Sequence, residues 1–242
     1  MTRNQALDRF YNILSALSDR LGGPRCLRDC HGRMGWPERG VYFFFEDGEY
    51  REDGRTPRVV RVGTHAVSAG SRTKLWQRLS QHKGHEGGGL PGGGNHRGSV
   101  FRLHVGMALL NRGEYPPEIG RTWKQGGNAP QEIVEVEYPL ERDVSAHIGR
   151  MPFLWLPVLD AAGRESDRSV IERNAVALLS NYGKPAVDPP SPGWLGQYAQ
   201  AAEIRESGLW NVNYVDEEYE EGFLDVMEGY VMKIEAEARG SD

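Results

Sequence analysis

Hydrophobic spacing divides the chain into alternating helical and extended segments. Residues 4–21 (NQALDRFYNILSALSDRL) set Phe10, Ile13, Leu14, Leu17 and Leu21 at helical intervals, and Gly22-Gly23 ends the run. Residues 40–46 (GVYFFFE) are aromatic and too short for a helix, which predicts a strand. Two Asp-Gly pairs and a proline in 47–57 turn the chain back into a second strand at 58–63 (RVVRVG). Residues 71–83 (SRTKLWQRLSQHK) put Leu75, Trp76 and Leu79 on one helical face and Lys74, Arg78 and His82 on another, with Ser71 as the expected N-cap. Eight of the fifteen residues of 84–98 are glycine, which predicts a mobile loop.

Further along, 99–111 (SVFRLHVGMALLN) reads as a helix, and 113–131 is loop-like. Alternation over 132–138 (EIVEVEY) predicts a strand, followed by a short helix at 139–150 and a buried strand at 152–158. Residues 166–182 form a helix opened by Ser166 or Asp167. Short helical pieces follow the proline-rich 185–192, and an acidic helix is expected from about 217 to 238. No internal repeat is visible. The expected architecture is an α/β (α+β) sandwich, a small and mainly antiparallel sheet flanked by helices. Its core spans 40–184 and carries a glycine-rich insertion at 84–98. Residues 1–39 and 185–242 are helical additions.

Composition narrows the class. A chain of 242 residues is long enough to bury a core without disulfides or metal. With 38 % hydrophobic residues, 10 % aromatics and six Trp, it is too aromatic to be disordered. The longest apolar run, 152–159, is far below the roughly 18 residues a membrane span needs. The N-terminus (MTRNQALDRF) lacks the form of a secretion signal, and Cys26 and Cys30 make no disulfide framework. A cytoplasmic protein is expected. The net charge of −5 argues against a polyanionic partner until its distribution is read. Residues 51–125 hold 13 Lys/Arg against 5 Asp/Glu, whereas 200–242 hold 3 against 12. A basic middle and an acidic tail suit a nucleic-acid surface on one part of the molecule.

The order of certain residues carries more. Gly-Val-Tyr at 40–42 precedes Arg-Val-Gly at 61–63, then the helix LWQRLSQH at 75–82, then a glutamate in VIERNAVALL at 170–179. This order resembles the GIY-YIG nuclease family, over roughly residues 40–181, and is closest in character to its restriction-endonuclease-like branch. The resemblance implies a Mg²⁺- (or Mn²⁺-) dependent endonuclease that hydrolyses phosphodiester bonds in double-stranded DNA, with no nucleotide cofactor. Tyr42 matches the Tyr beside the attacking water. A phenol ionises near pH 10, so a base at this position needs a neighbouring cation or metal. Arg78 matches the family Arg, whose fork suits a phosphate oxygen and the charge that builds there. His82, one turn on, is placed to relay protons or hold the phosphate. Glu172 matches the metal-ligand Glu, with Glu165 and Asp167 as nearby rivals, and a single carboxylate plus waters is a usual way to hold Mg²⁺.

Departures from the family pattern accompany these matches. Arg61 stands where the pattern has Tyr, and eighteen residues (43–60) separate it from Tyr42. A cation at 61 is suited to activating Tyr42, and basic replacements look like a feature of the restriction-enzyme branch. The final Asn of the pattern corresponds to Asn181, with Asn174 as the alternative. The glycine-rich segment and its flanks offer Asn95, His96, Arg97, Ser99 and Arg102, with Lys74 and Lys83 on the preceding helix, as nucleic-acid-binding side chains. Other chemistries are poorly supported. Cys26-x₃-Cys30-His31 has no second ligand pair for zinc, 92–94 has no following Lys-Ser/Thr, and no Ser or Cys lies in a nucleophile elbow. The size and the absence of a recognisable attached module point to a stand-alone restriction-type enzyme compatible with a homodimer. The alternatives are a structure-specific repair nuclease, a catalytically degenerate nucleic-acid-binding module, and a scaffold using the acidic 216–242.

Overall fold

The aromatic strand predicted at 40–46 lies inside a four-stranded antiparallel sheet. The computed structural model describes residues 1–234 apart from 86, 88, 114 and 125. Its strands are β1 (Arg25–Cys26), β2 (Gly40–Tyr50), β3 (Pro57–Gly63) and β4 (Pro152–Pro157), ordered β1-β4-β2-β3. The helices are α1 (Arg3–Leu21), α2 (Leu75–Lys83), α3 (Val100–Arg112), α4 (Pro117–Thr122), α5 (Gln131–Arg150), α6 (Asp167–Leu179), α7 (Ala202–Ser207) and α8 (Phe223–Lys233). The fold is α+β, with helices flanking a small sheet, and no described helix is long and apolar enough to cross a membrane.

Side chains alternate across β2, so its two faces meet different helices. Phe43 meets Phe10 of α1 edge-on, with ring centroids 5.8 Å apart. Tyr42 and Phe44 lie on the other side, against His82 of α2 and Phe101 of α3. The N- and C-terminal segments share this core. Tyr11 accepts the Val59 amide at 3.1 Å. The Trp210 amide donates to Val60 at 2.7 Å, and the Asn211 side chain brackets Val62, closing the outer edge of β3. Glu46 binds the two indole N–H groups of Trp194 and Trp210 at 3.0 and 3.2 Å, tying the C-terminal segment to β2.

Three expectations change. Residues 132–138 are not a strand but the first turns of α5, which continues through the helix expected at 139–150. The buried positions Glu137, Leu140, Glu141, Val144 and Ile148 recur at helical spacing. The alternating Ile133, Val134 and Val136 lie on faces that are not fully buried, so their period has no sheet to satisfy. Helix α2 starts at Leu75 rather than at Ser71, because the Leu75 amide is already bonded to the Glu38 carbonyl at 2.9 Å. The acidic helix covers only Phe223–Lys233, and 235–238 lie outside the described residues.

The glycine-rich segment, expected to be mobile, is tethered at its described residues. Its backbone closes on itself through His85–Gly93 and Gly92–His85 hydrogen bonds of 2.7 and 2.9 Å. Its C-terminal flank is held by α5. Glu137 and Glu141, one turn apart, take Arg97 and the pair His96 and Arg102 respectively. Arg102 is fully buried and also donates to the carbonyls of His82 and Glu141 at 2.8 and 2.9 Å. Removing one partner of such a pair strands a charge away from water. Glu141→Ala is therefore expected to lower unfolding stability by about 3–5 kcal/mol in urea denaturation. Truncating the exposed Glu135 should cost less than about 0.5 kcal/mol. Equal losses for the two variants would show that the network does not hold the segment.

Candidate active site

The site begins with two glycines. Tyr42 of β2 lies opposite Gly63 of β3, and a Cβ at Gly63 would run into the Tyr42 phenol. A Cβ at Gly40 would run into the Leu156 carbonyl of β4. Both ends of the Gly-Val-Tyr and Arg-Val-Gly segments are thus set by close approach, and the Tyr42 ring lies flat over the partner strand.

From that position the Tyr42 hydroxyl meets His82 Nε2 at 2.9 Å, and His82 Nδ1 meets Ser99 Oγ at 2.8 Å. All three residues are buried. Burial pushes the His82 pKa well below its ordinary value, and the cations Arg78, Arg61 and Arg102 push it the same way, so the imidazole is neutral at physiological pH. Arg61 faces Phe44 across the strands and is buried. It donates to the Trp210 carbonyl at 2.6 Å, and its guanidinium sits 4.7 Å from the Phe101 ring centroid. Burial lowers its pKa, and attraction to Tyr42 and Glu172 offsets part of that effect. Glu172, half-buried on α6, accepts the Thr64 amide just beyond β3 at 3.2 Å. Desolvation raises its pKa against the opposing pull of Arg61, the Thr64 N–H and Arg78.

These contacts gather Tyr42, Arg61, Arg78, His82 and Glu172, drawn from β2, β3, α2 and α6, into one electrostatic cluster. Arg78 is half-buried, with Nη1 bonded to Gln81 at 2.9 Å and near the Gly98 carbonyl. Asn181 is placed elsewhere. Its side-chain oxygen accepts from Arg3 and from the Val187 amide, both at 2.9 Å. The alternative, Asn174, binds the Glu220 amide. Each amide tethers the chain beyond α6 and is bonded to none of the clustered residues. The expected nucleic-acid residues divide in the same way. His96 and Arg102 are buried against Glu141, and Arg97 is clamped by both oxygens of Glu137 at 2.6 and 2.8 Å. This corrects the outward placement expected for them: the α5 carboxylates draw these cations inward. Lys83 donates to the Cys30 carbonyl. Lys74 and Asn95 are exposed, with Lys74 3.0 Å from Glu38 and Asn95 capping the Arg97 amide.

Sequence reasoning missed Thr64 and Trp210, and it took Ser99 as a nucleic-acid-facing side chain, not as a buried partner of His82. Ser99 carries one local signal, as an N-cap preceding the helix at 100–112. The Trp210 contact joins residues 149 positions apart, which no local pattern encodes.

The donor set has a definite capacity for metal. No group of three or more His, Cys, Asp or Glu able to hold an ion occurs among the described residues. Glu172 nevertheless fits a hard divalent cation that keeps most of its waters. It is a single carboxylate, and the one hydrogen bond it accepts among the described residues reaches only Oε1. The neutral histidines give a stability prediction. His65 and His104 are lowered to about 4, mainly by burial, and His82 moves in the same direction. Below about pH 6.5 the unfolded chain takes up protons that these folded-state groups refuse. Stability should therefore fall as the pH drops from about 6.5 to about 4, and NMR should show His82 titrating well below an ordinary histidine. A His82 midpoint above 6 would contradict its buried, cation-flanked placement.

A family model described as GIY-YIG domain matches residues 1–237. No curated protein and no solved structure matches the chain. The matched span takes in α1 and the C-terminal segment as well as the clustered residues. GIY-YIG domains are those of endonucleases, which hydrolyse phosphodiester bonds and generally use divalent metal ions. With its tyrosine, arginines, histidine and glutamate gathered at the ends of β2 and β3, this chain belongs to the GIY-YIG family of nucleases.

Proposed function

We propose that the chain is a divalent-metal-dependent DNA endonuclease of the restriction type, acting in the cytoplasm. The observation that carries this reading is the Tyr42 hydroxyl, 2.9 Å from neutral His82 and interacting with the Arg61 cation, with Glu172 completing the cluster. Tyr42, having given its phenol proton to solvent, accepts a proton from the attacking water as the water approaches phosphorus. Arg61 and Arg78 stabilise the negative charge that develops on the phosphoryl oxygens and on Tyr42. His82, shielded from water, hydrogen-bonds the Tyr42 oxygen and does not itself touch the phosphate. Glu172 would hold Mg²⁺ or Mn²⁺, which would neutralise phosphate charge when bound. Lys74, Arg78 and Asn95, none of them buried, contact double-stranded DNA. Two copies related by a two-fold axis would cut both strands of a palindromic site.

The test is cleavage of unmethylated phage and plasmid DNA with Mg²⁺ or with EDTA. Discrete metal-dependent fragments are expected. Tyr42→Phe and Glu172→Gln should each slow cleavage by at least roughly 100-fold, the scale of losing a proton-transfer group. Retained DNA binding by both variants would separate loss of chemistry from loss of affinity. Wild-type rates in either variant at saturating Mg²⁺ would sink the assignment. Salt-sensitive binding without cleavage of DNA or RNA would identify a binding module instead.

A further inference from the structure

A serine outside the expected motifs completes the hydrogen-bond chain behind Tyr42. Ser99 is buried at the start of α3, and its Oγ has two polar neighbours among the described residues. One is the Arg102 amide at 3.3 Å, which can only donate, so that the oxygen acts as the N-cap acceptor of α3. The other is His82 Nδ1 at 2.8 Å. A serine hydroxyl also carries one proton, and burying it without an acceptor costs free energy. His82 Nδ1 is the acceptor within reach.

We propose that Ser99 is a positioning residue that donates its hydroxyl proton to His82 Nδ1 and so fixes the His82 proton on Nε2, aimed at the Tyr42 oxygen. The inference deepens the nuclease reading and rests on Tyr42 as the proton acceptor. A neutral imidazole holds one ring proton. With Nδ1 accepting from Ser99, Nε2–H must be the donor across the 2.9 Å contact to Tyr42. The Tyr42 oxygen then faces donors from His82 and from Arg61, which interacts with it from β3. Both favour negative charge on that oxygen, and neither takes the phenol proton. The phenol proton is then lost to solvent, and the phenolate held by these two groups accepts the proton of the attacking water. In the reverse tautomer, Nδ1–H would donate to Ser99, the serine proton would have no acceptor, and His82 Nε2 would accept the phenol proton instead of donating to the Tyr42 oxygen. One serine thus caps α3 and orients the histidine of α2, joining helices that enclose the glycine-rich segment.

The decisive measurement uses the intact protein with ¹⁵N-labelled histidine, His82 being assigned by comparison with His82→Gln. The proposal expects an unprotonated Nδ1 and a protonated Nε2 at neutral pH. A protonated Nδ1 in the wild-type protein overturns it, whatever the enzyme does to DNA. Ser99→Ala should release the tautomer preference and lower kcat by roughly 10- to 100-fold, the range seen when an orienting partner of a functional imidazole is removed. KM should change little. Ser99→Thr, which keeps the hydroxyl and the cap, should restore both the ¹⁵N signature and most of kcat. Ser99→Ala with an unchanged His82 signature also refutes the positioning role. Failure of the wild-type protein to cleave any nucleic acid would remove the nuclease reading while the ¹⁵N result still decided the hydrogen-bond direction.

Discussion

The buried guanidinium of Arg61 is the constraint around which the rest of the site is arranged. Taking a cation out of water costs several kcal/mol unless dipoles and opposite charge replace the lost hydration. Here the replacement comes from four directions: the Trp210 carbonyl, the face of Phe101, the Tyr42 phenol and the Glu172 carboxylate. Its Nε has no protein partner among the described residues. The C-terminal segment is therefore part of the site, because the Trp210 backbone both seals the edge of β3 and accepts from Arg61. The same cation helps to keep His82 neutral, so the histidine behind Tyr42 works as a neutral hydrogen-bond partner, not as a second positive charge.

Charge segregation in the chain has a similar explanation. The basic excess of 51–125 looks like a polyanion-binding surface, yet several of its cations are spent inside the protein. Arg58 pairs with Glu49, Arg97 with Glu137 and Arg102 with Glu141, all with little exposure. The acidic end of the chain also meets cations of the N-terminal segment at the surface: Arg9 holds Asp225 and Glu228, and the N-terminal amine holds Glu221. Linear charge counts record only the totals, whereas the fold determines which cations remain for a ligand. Lys74 and Arg78 are not buried, whereas Arg102 and His96 have become struts for the glycine-rich segment.

The strand pair, the helix bearing Arg78 and His82, and the α6 position of Glu172 were legible in the sequence, whereas His82 proves to share the buried face of Leu75 and Leu79 rather than the polar one. They depend on short-range rules: two-residue alternation in strands, turns at Asp-Gly, and the i, i+4 spacing of helices. The 132–138 segment misled because its alternation fits a strand in isolation. The helical stripe running from Glu137 to Ile148 emerges only when α5 has neighbours to bury it against. Asn181 fitted a motif spacing, but its side chain is occupied by Arg3, 178 residues away, and by Val187.

By itself, the sequence determined the type of fold, which follows from local periodicity, and the order of a few side chains pointed to the family. Tertiary structure alone decided which cations face outward, which carboxylates hold them, and how Ser99, Trp210 and Thr64 complete the cluster. The physical reason is range. Propensity and periodicity act over a few residues, whereas burial, ion pairing and the satisfaction of buried polar groups depend on atoms that meet only after the chain has closed on itself.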